Sequence, residues 1–491
     1  MTKPLDLAAA ADRLAGARVL CVGDVMLDRF VYGHVDRISP EAPIPVLRID
    51  REQAMLGGAG NVVRNLVGLG AAVEFVSVVG RDPAGHEVMR LVGALDRVEP
   101  HLLVDTSRPT TIKTRYIADG HQMLRADRES NAPVGAEAAR DVVRTVEHAI
   151  ADCDVVVLSD YAKGVLSDES TRAMLAAARK AGRPVVIDPK GPSWTRYRGA
   201  TVLTPNRHEL AEAAGLPTDE LAAIEKAGRR MLRALGVEAV LCTRGRDGMA
   251  LVRARGKTAT MASTAREVFD VSGAGDTVIA AFSAGLAAGL SMEESAALAN
   301  AAAGIVVGKV GTAVVWIDEL RRELLHERVA ASEAKIVGAE GALDLVQRWR
   351  RAGHRVGFTN GVFDLLHPGH VSLLKQARTA CDRLIVGVNS DASVRRLKGK
   401  DRPIQNERAR AEVLAGLEAV DLVVVFPQNT PLELIRRVRP SVLVKGGDYR
   451  PDQVVGRDLV EAQGGEVMLV DLVPGFSTTR IVERSRNPRR R

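Results

Sequence analysis

Asp270-Val-Ser-Gly-Ala-Gly-Asp276-Thr277 sets three small residues ahead of an acid, and an Ala-rich stretch of helical pattern follows. Small residues let backbone approach a ligand closely. The amides of Gly273, Ala274 and Gly275 at a helix N-terminus make an anion hole for a phosphate, reinforced by the helix dipole. An aspartate that only caps such a helix repels phosphate. Beside a hydroxyl, Asp276 instead accepts the proton as that oxygen attacks a phosphoryl group. A plain helix cap competes with this reading for an isolated motif, so the surrounding sequence has to decide.

Upstream, Gly57-Gly-Ala-Gly-Asn61 opens an amphipathic stretch over 61–69, and a diglycine followed by Asn suits a polyhydroxyl substrate. Gly23-Asp24-Val-Met-Leu-Asp28 places two carboxylates at the end of the first strand, where open α/β sheets bind ligands. Apolar runs at 19–22, 73–79, 155–158, 185–187, 202–203 and 239–243 alternate with helical stretches such as 220–235. That alternation predicts a mainly parallel sheet covered on both faces, an α/β unit. A charged, Ala- and Glu-rich segment then leads to a second alternating series, with strands at 356–359, 384–388, 422–426, 442–444 and 467–470. The expected division is 1–325, a linker at 326–341, a smaller α/β unit at 342–483 and a basic tail at 484–491.

The second series opens with Thr359-Asn-Gly-Val-Phe-Asp364-Leu-Leu-His367-Pro-Gly-His370. Two histidines three apart at a helix start share a face, and their ring N–H groups can bind nucleotide phosphates and stabilise charge during transfer. Zinc ligation is the competing reading, but no cysteine cluster or third histidine completes such a site.

Composition narrows the classes. A length of 491 residues exceeds one typical core, and 46% hydrophobic with 26% charged residues is that of a globular protein. Aromatic content of 3% is low for a protein that stacks bases. Of the net charge of +7, Arg484, Arg486, Arg489, Arg490 and Arg491 supply five, leaving 7 − 5 = +2 on the rest. This argues against nucleic acid as a partner. The cysteines, Cys21, Cys153, Cys242 and Cys381, are widely spaced, as in a reducing cytosol. With no signal segment and no apolar run of about 18 residues, the expected place is the cytoplasm, without membrane contact.

These residues resemble the ribokinase-like carbohydrate kinases over about 17–318. The resemblance implies a ribokinase-like α/β fold with Asp276 as catalytic base, Gly273, Ala274 and Gly275 as anion hole, and Asp28, Gly57, Gly58 and Asn61 as sugar contacts. It places Asn206, Arg207, His208 and Glu209, with Thr243, Gly245 and Gly248, on the ATP side. Lys113, Arg115, Lys163 and Lys190 are the candidate cations for a sugar phosphate. The segment 33–49 resembles the small β-lid through which such kinases cover sugar and dimerise, which implies a homodimer. Val271-Ser272 departs from the usual acidic-Thr-Gly-Ala-Gly-Asp pattern.

The second series resembles the HxGH nucleotidyltransferases of the cytidylyltransferase-like type, a Rossmann-like fold, over about 356–482. That resemblance makes His367, His370 and Lys398 catalytic. It gives Thr359, Asn360, Gly361, Phe363, Asp364, Asn389, Asp391, Lys445, Asp448, Ser477 and Thr478 to the nucleotide. Leu472-Val-Pro-Gly-Phe476 stands where cytidylyltransferases usually carry an arginine, so cytidine specificity does not simply carry over. The pairing of both signatures resembles the bifunctional heptose-7-phosphate kinase and heptose-1-phosphate adenylyltransferases. This implies heptose phosphates and ATP as substrates and ADP-heptose as product. Mg²⁺ would serve both steps, held through ATP and Glu209 rather than by a dedicated ligand set. A different sugar kinase joined to a CTP-dependent transferase, or a sugar-phosphate sensor with dead sites, are the alternatives.

Overall fold

The computed structural model describes residues 7–265, 268–309, 311–446 and 453–470, with backbone alone at 8 and 326–332. The chain forms two compact units, Met1–Leu325 and His326–Arg491.

The first unit carries β1 (Arg18–Gly23), β2 (Val25–Ile38), β3 (Pro45–Gly58), β4 (Ala72–Gly80), β5 (Val98–Asp105), β6 (Ile112–Ala118), β7 (His121–Arg128), β8 (Val155–Ser159), β9 (Val185–Asp188), β10 (Val202–Leu203), β11 (Ala239–Thr243), β12 (Met249–Arg253) and β13 (Ala259–Met261). Nine strands form one sheet in the order β13-β12-β11-β10-β9-β8-β1-β4-β5. Its strands from β5 to β11 run parallel, and β12 and β13 close one edge antiparallel. Alternation along β1 feeds two cores: Val19 and Cys21 pack on one face, Leu20 and Val22 on the other. A parallel sheet buried on both faces needs such uninterrupted apolar runs. The chain leaves β1 toward β4 and β5, then returns on its other side at β8. Strand order therefore reverses beside β1, and the crevice beyond its carboxyl end is the ligand position of an open α/β sheet.

The lid is larger than 33–49. It is a four-stranded sheet, β3-β2-β6-β7, with β2 and β6 parallel and the other pairs antiparallel. Residues 33–49 span only the outer parts of β2 and β3. The missed strands β6 and β7 are rich in charge, and β7 is exposed throughout, so they lack an apolar run.

In the second unit, β14 (Ile336–Val337), β15 (Val356–Gly361), β16 (Arg383–Asn389), β17 (Leu422–Phe426), β18 (Val442–Gly446) and β19 (Glu466–Val470) form a parallel sheet in the order β14-β17-β16-β15-β18-β19. Strand order reverses at β15, as it does at β1 in the first unit. The expected linker, 326–341, is not structureless. A helix, Ile317–Glu333, runs into it, β14 pairs with β17, and the helix Ala339–Arg351 begins before the segment ends. Ile336-Val337 is too short a run to show as a strand in sequence, and its pairing partner lies 87 residues on, at Val423–Val424.

Candidate active sites

Asp276 lies in the first turn of the helix Ala274–Ala287, capped by Gly273 at φ 78°. It is buried, and both carboxylate oxygens are engaged: Tyr161 Oη donates to one at 2.6 Å and Asn61 Nδ2 to the other at 2.8 Å. Burial raises its carboxyl from 3.8 to about 6; the Tyr161 and Asn61 bonds oppose the shift and the charge of Asp28 adds to it. Such a group is ionised at neutral pH yet close enough to it to take up a proton. In the expected anion hole, Ala274 N–H is turned back onto the Val271 carbonyl at 3.2 Å. Asp270 shapes that loop by accepting from Ser272 N–H at 2.8 Å and Gly311 N–H at 3.1 Å.

Asp28 is buried and paired to Arg115 at 2.7 Å. The diglycine is required by close approach. A Cβ on Gly57 would lie 2.3 Å from an Asp28 carboxylate oxygen, and Gly58 has φ 57° with its Cβ position 2.5 Å from the Asp24 carbonyl. Asp24 holds the loop after β8, accepting from the backbone N–H of Tyr161, Lys163 and Val165, each at 3.0 Å. Lys113 and Lys163 stand near each other. Lys190 parts from them: its Nζ is 2.8 Å from Glu209, among the residues expected on the ATP side.

On that side, Asn206 and Glu209 form a reciprocal capping box at the start of the helix Arg207–Ala214. Asn206 forms a parallel bridge with Thr243, and Gly245 and Gly248 take φ of 59° and 81° in the turn that follows. Arg207 reaches Asp247 at 3.4 Å, and His208 is exposed. Asp188, at the end of β9, is half-buried, and its carboxyl is pushed well up by loss of water, then by the charges of Glu209 and Asp276. This crowding of carboxylates is what a divalent cation carried in with ATP would relieve. Among the described residues, no group of three His, Cys, Asp or Glu is arranged to hold a metal on its own.

In the second unit His367 caps the helix Pro368–Thr379, with Pro368 in its first turn. The His367 and His370 rings stack at 3.7 Å between centroids, and Phe363, at φ 47°, meets the His370 ring edge-on at 5.2 Å. Burial lowers both imidazoles, His370 to about 4 with help from His367 and Lys398, so both are neutral and each carries one N–H. Lys398 ends the helix Asp391–Lys398, its ammonium lowered by burial and by Arg402. Lys445 on β18 reaches the Asn360 side chain on β15 at 2.6 Å, across the point where strand order reverses.

Other expected nucleotide residues are engaged with protein. Asp364 accepts from Arg402 at 2.5 Å and from the N–H of Ile404 and Gln405, so it anchors the 402–405 loop. Asp391 is paired with the fully buried Arg410 at 2.7 Å, and Asn389 donates to Ser393 at 3.1 Å. Thr359 is buried, and a Cβ on Gly361 would meet the Phe363 ring at 3.0 Å. Asp448, Ser477, Thr478 and the tail 484–491 lie outside the described residues. Sequence reading missed Tyr161, Asp188, Arg402 and Arg410. Tyr161 sits two residues before Lys163, a candidate cation, and that nearness was the available signal.

Residues 17–318 match the pfkB family carbohydrate kinases, and residues 358–484 match the cytidylyltransferase-like family. The chain is 56% identical to the bifunctional protein HldE of Paramagnetospirillum magneticum, over 99% of this chain and 99% of that one. The chain belongs to the HldE family. A second HldE protein, from Rhodospirillum rubrum, is 55% identical over 99% of this chain and 98% of its own. Like these HldE proteins, the chain joins a kinase to a nucleotidyltransferase. The fold of its kinase half also overlays the phosphofructokinase-2 of Escherichia coli, with TM-score 0.54 and 19% identity over 63% of this chain and 98% of that one. The kinase half of this chain has the ribokinase-like α/β architecture of the pfkB carbohydrate kinases. Among the described residues of the chain, no helix is long and apolar enough to cross a membrane.

Proposed function

We propose that the first unit phosphorylates a heptose 7-phosphate at O1 and that the second transfers the adenylyl group of ATP to heptose 1-phosphate, giving ADP-heptose and pyrophosphate. The observation that carries the kinase step is the buried Asp276 carboxylate, oriented by Tyr161 and Asn61 at the start of a helix. As the sugar O1 bonds to the γ-phosphorus, Asp276 takes its proton, the bond to the ADP oxygen breaks, and the amides around Gly273 and Gly275 face the transferring group. Asp28, Gly57, Gly58 and Asn61 line the sugar side, with Lys113, Arg115 and Lys163 on its phosphate. Lys190, Asn206, Glu209, Thr243 and Asp188 serve the ATP side. The divalent cation would be Mg²⁺, carried in with ATP and met by Glu209 on the kinase side, and it would supply neutralisation of the triphosphate charge.

In the second unit the attacking phosphate oxygen is already anionic, so His367, His370 and Lys398 act on charge rather than on a sugar proton. Both steps run in the cytoplasm. A homodimer forms through the lid, whose Ile38, Ile44, Ile49, Met123 and Leu124 are each more than half exposed in one copy. The test is turnover of the full chain with heptose 7-phosphate or heptose 1-phosphate, each with ATP or CTP. ATP is expected to serve both steps; CTP-dependent turnover of the 1-phosphate without ATP turnover overturns the adenylyl assignment.

A further inference from the structure

Lys113, Glu129 and Lys163 form a closed bridge of ammonium, carboxylate and ammonium. Lys113 Nζ lies 3.1 Å from one Glu129 oxygen and Lys163 Nζ 2.9 Å from the other. The lysine side chains are only 16% and 13% exposed, so neither is an ordinary solvated surface charge. The two lysines hold the Glu129 carboxyl below its usual range. A carboxylate holding two ammoniums on separate oxygens makes the same contacts as two terminal oxygens of a phosphate monoester.

The fold sets this bridge next to residues of the kinase site. Lys113 is in register with Asp28 across β2 and β6, and Arg115, two residues on along the same face, holds Asp28. Lys163 belongs to the loop whose Tyr161 donates to Asp276. Glu129 is the displaceable member. It follows Arg128, the last residue of β7, and stands outside the ladder, whereas Asp127 is in register opposite Lys113 and is also held by Arg125 at 3.0 Å. Arg108 ties down the carbonyls of Ser130 and Ala132, so Glu129 leaves by side-chain rotation. Arg125, Lys113 and Lys163 face Asp127 and Glu129, a balance of 3 − 2 = +1. A dianionic phosphate in place of Glu129 brings it to 3 − 1 − 2 = 0.

We propose that Lys113 and Lys163 clamp the distal phosphate of the sugar substrate and that Glu129 is its internal stand-in, swung out when that phosphate binds. This rests on the sugar-phosphate reading of the kinase site. It makes Glu129 a specificity device: a sugar without the phosphate leaves it in place and gains nothing from the lysines. The test uses the full chain as wild type, Lys113→Met, Lys163→Met and Glu129→Gln, assayed for kinase turnover with heptose 7-phosphate and with unphosphorylated heptose. Either lysine variant is expected to raise KM for heptose 7-phosphate about 30-fold or more while shifting KM for ATP by less than about twofold; Glu129→Gln is expected to lower KM for the phosphorylated sugar. Equal losses with both sugars would mean a structural role and overturn the clamp. Wild-type turnover of neither heptose would sink the heptose reading instead, and the clamp is then decided by inorganic phosphate. With a non-hydrolysable ATP analogue saturating both nucleotide sites, phosphate should bind Glu129→Gln more tightly and both lysine variants more weakly by ³¹P line broadening. The same affinity in all four proteins overturns the proposal.

Discussion

A carboxylate deprived of water, but given two donors, is a base whose strength its neighbours set. Since Asp276 titrates at about 6 and must be ionised to accept a proton, kinase kcat/KM in the free enzyme should fall as the pH drops through about 6. The Tyr161 bond holds that value down, so Tyr161→Phe should move the acid limb to higher pH, a shift read directly in the pH profile. Asp276→Asn should cost kinase turnover on the order of 10³. For His370 the sign is opposite. Its folded-state value, about 4, lies below that of an exposed imidazole, so the unfolded chain binds the proton first. The second unit should therefore lose stability as the pH falls from about 6.5 toward 4. His370→Gln should flatten that loss in thermal melts taken across the same range. The motif residues Asp276, His367 and His370 were legible because their chemistry needs particular neighbours at fixed spacing. Tyr161 was not, because its role depends on a contact with a residue 115 positions away.

At the scale of elements, long apolar runs such as β1, β4 and β8 could be read, since burial on both faces leaves little choice of residue. The strands β6, β7 and β14 could not, the first two because a charged lid strand carries no apolar run and the third because two residues carry no pattern. β14 matters to the second unit: besides pairing with β17, its neighbour Lys335 accepts at its carbonyl from Val423 N–H at 2.8 Å. A fragment begun at residue 340 deletes that edge. It should melt at least about 4 °C below one begun at residue 334, given that ~1 kcal/mol moves a domain of this size by roughly 2–4 °C. Equal melting temperatures would show that β14 adds nothing to the sheet.

At the scale of the whole molecule, two sites on two sheets should fail separately. Asp276→Asn should leave adenylyl transfer intact and His370→Ala should leave phosphorylation intact; joint loss from either change would mean a shared site. If a second copy covers the apolar residues of the lid, Met123→Glu with Leu124→Glu should convert the dimer to monomer in sedimentation, with adenylyl transfer unchanged. An unaltered sedimentation coefficient would move the subunit contact elsewhere.

The diglycine at the root of the lid fixes how this enzyme can vary. Any non-synonymous codon change at Gly57 introduces a Cβ where the Asp28 carboxylate already stands, and at Gly58 it also demands a left-handed backbone. Drift in the lid is therefore confined to its outer strands, with the hinge itself frozen, and new sugar preferences have to be reached by changing what the lid carries and not how it is attached.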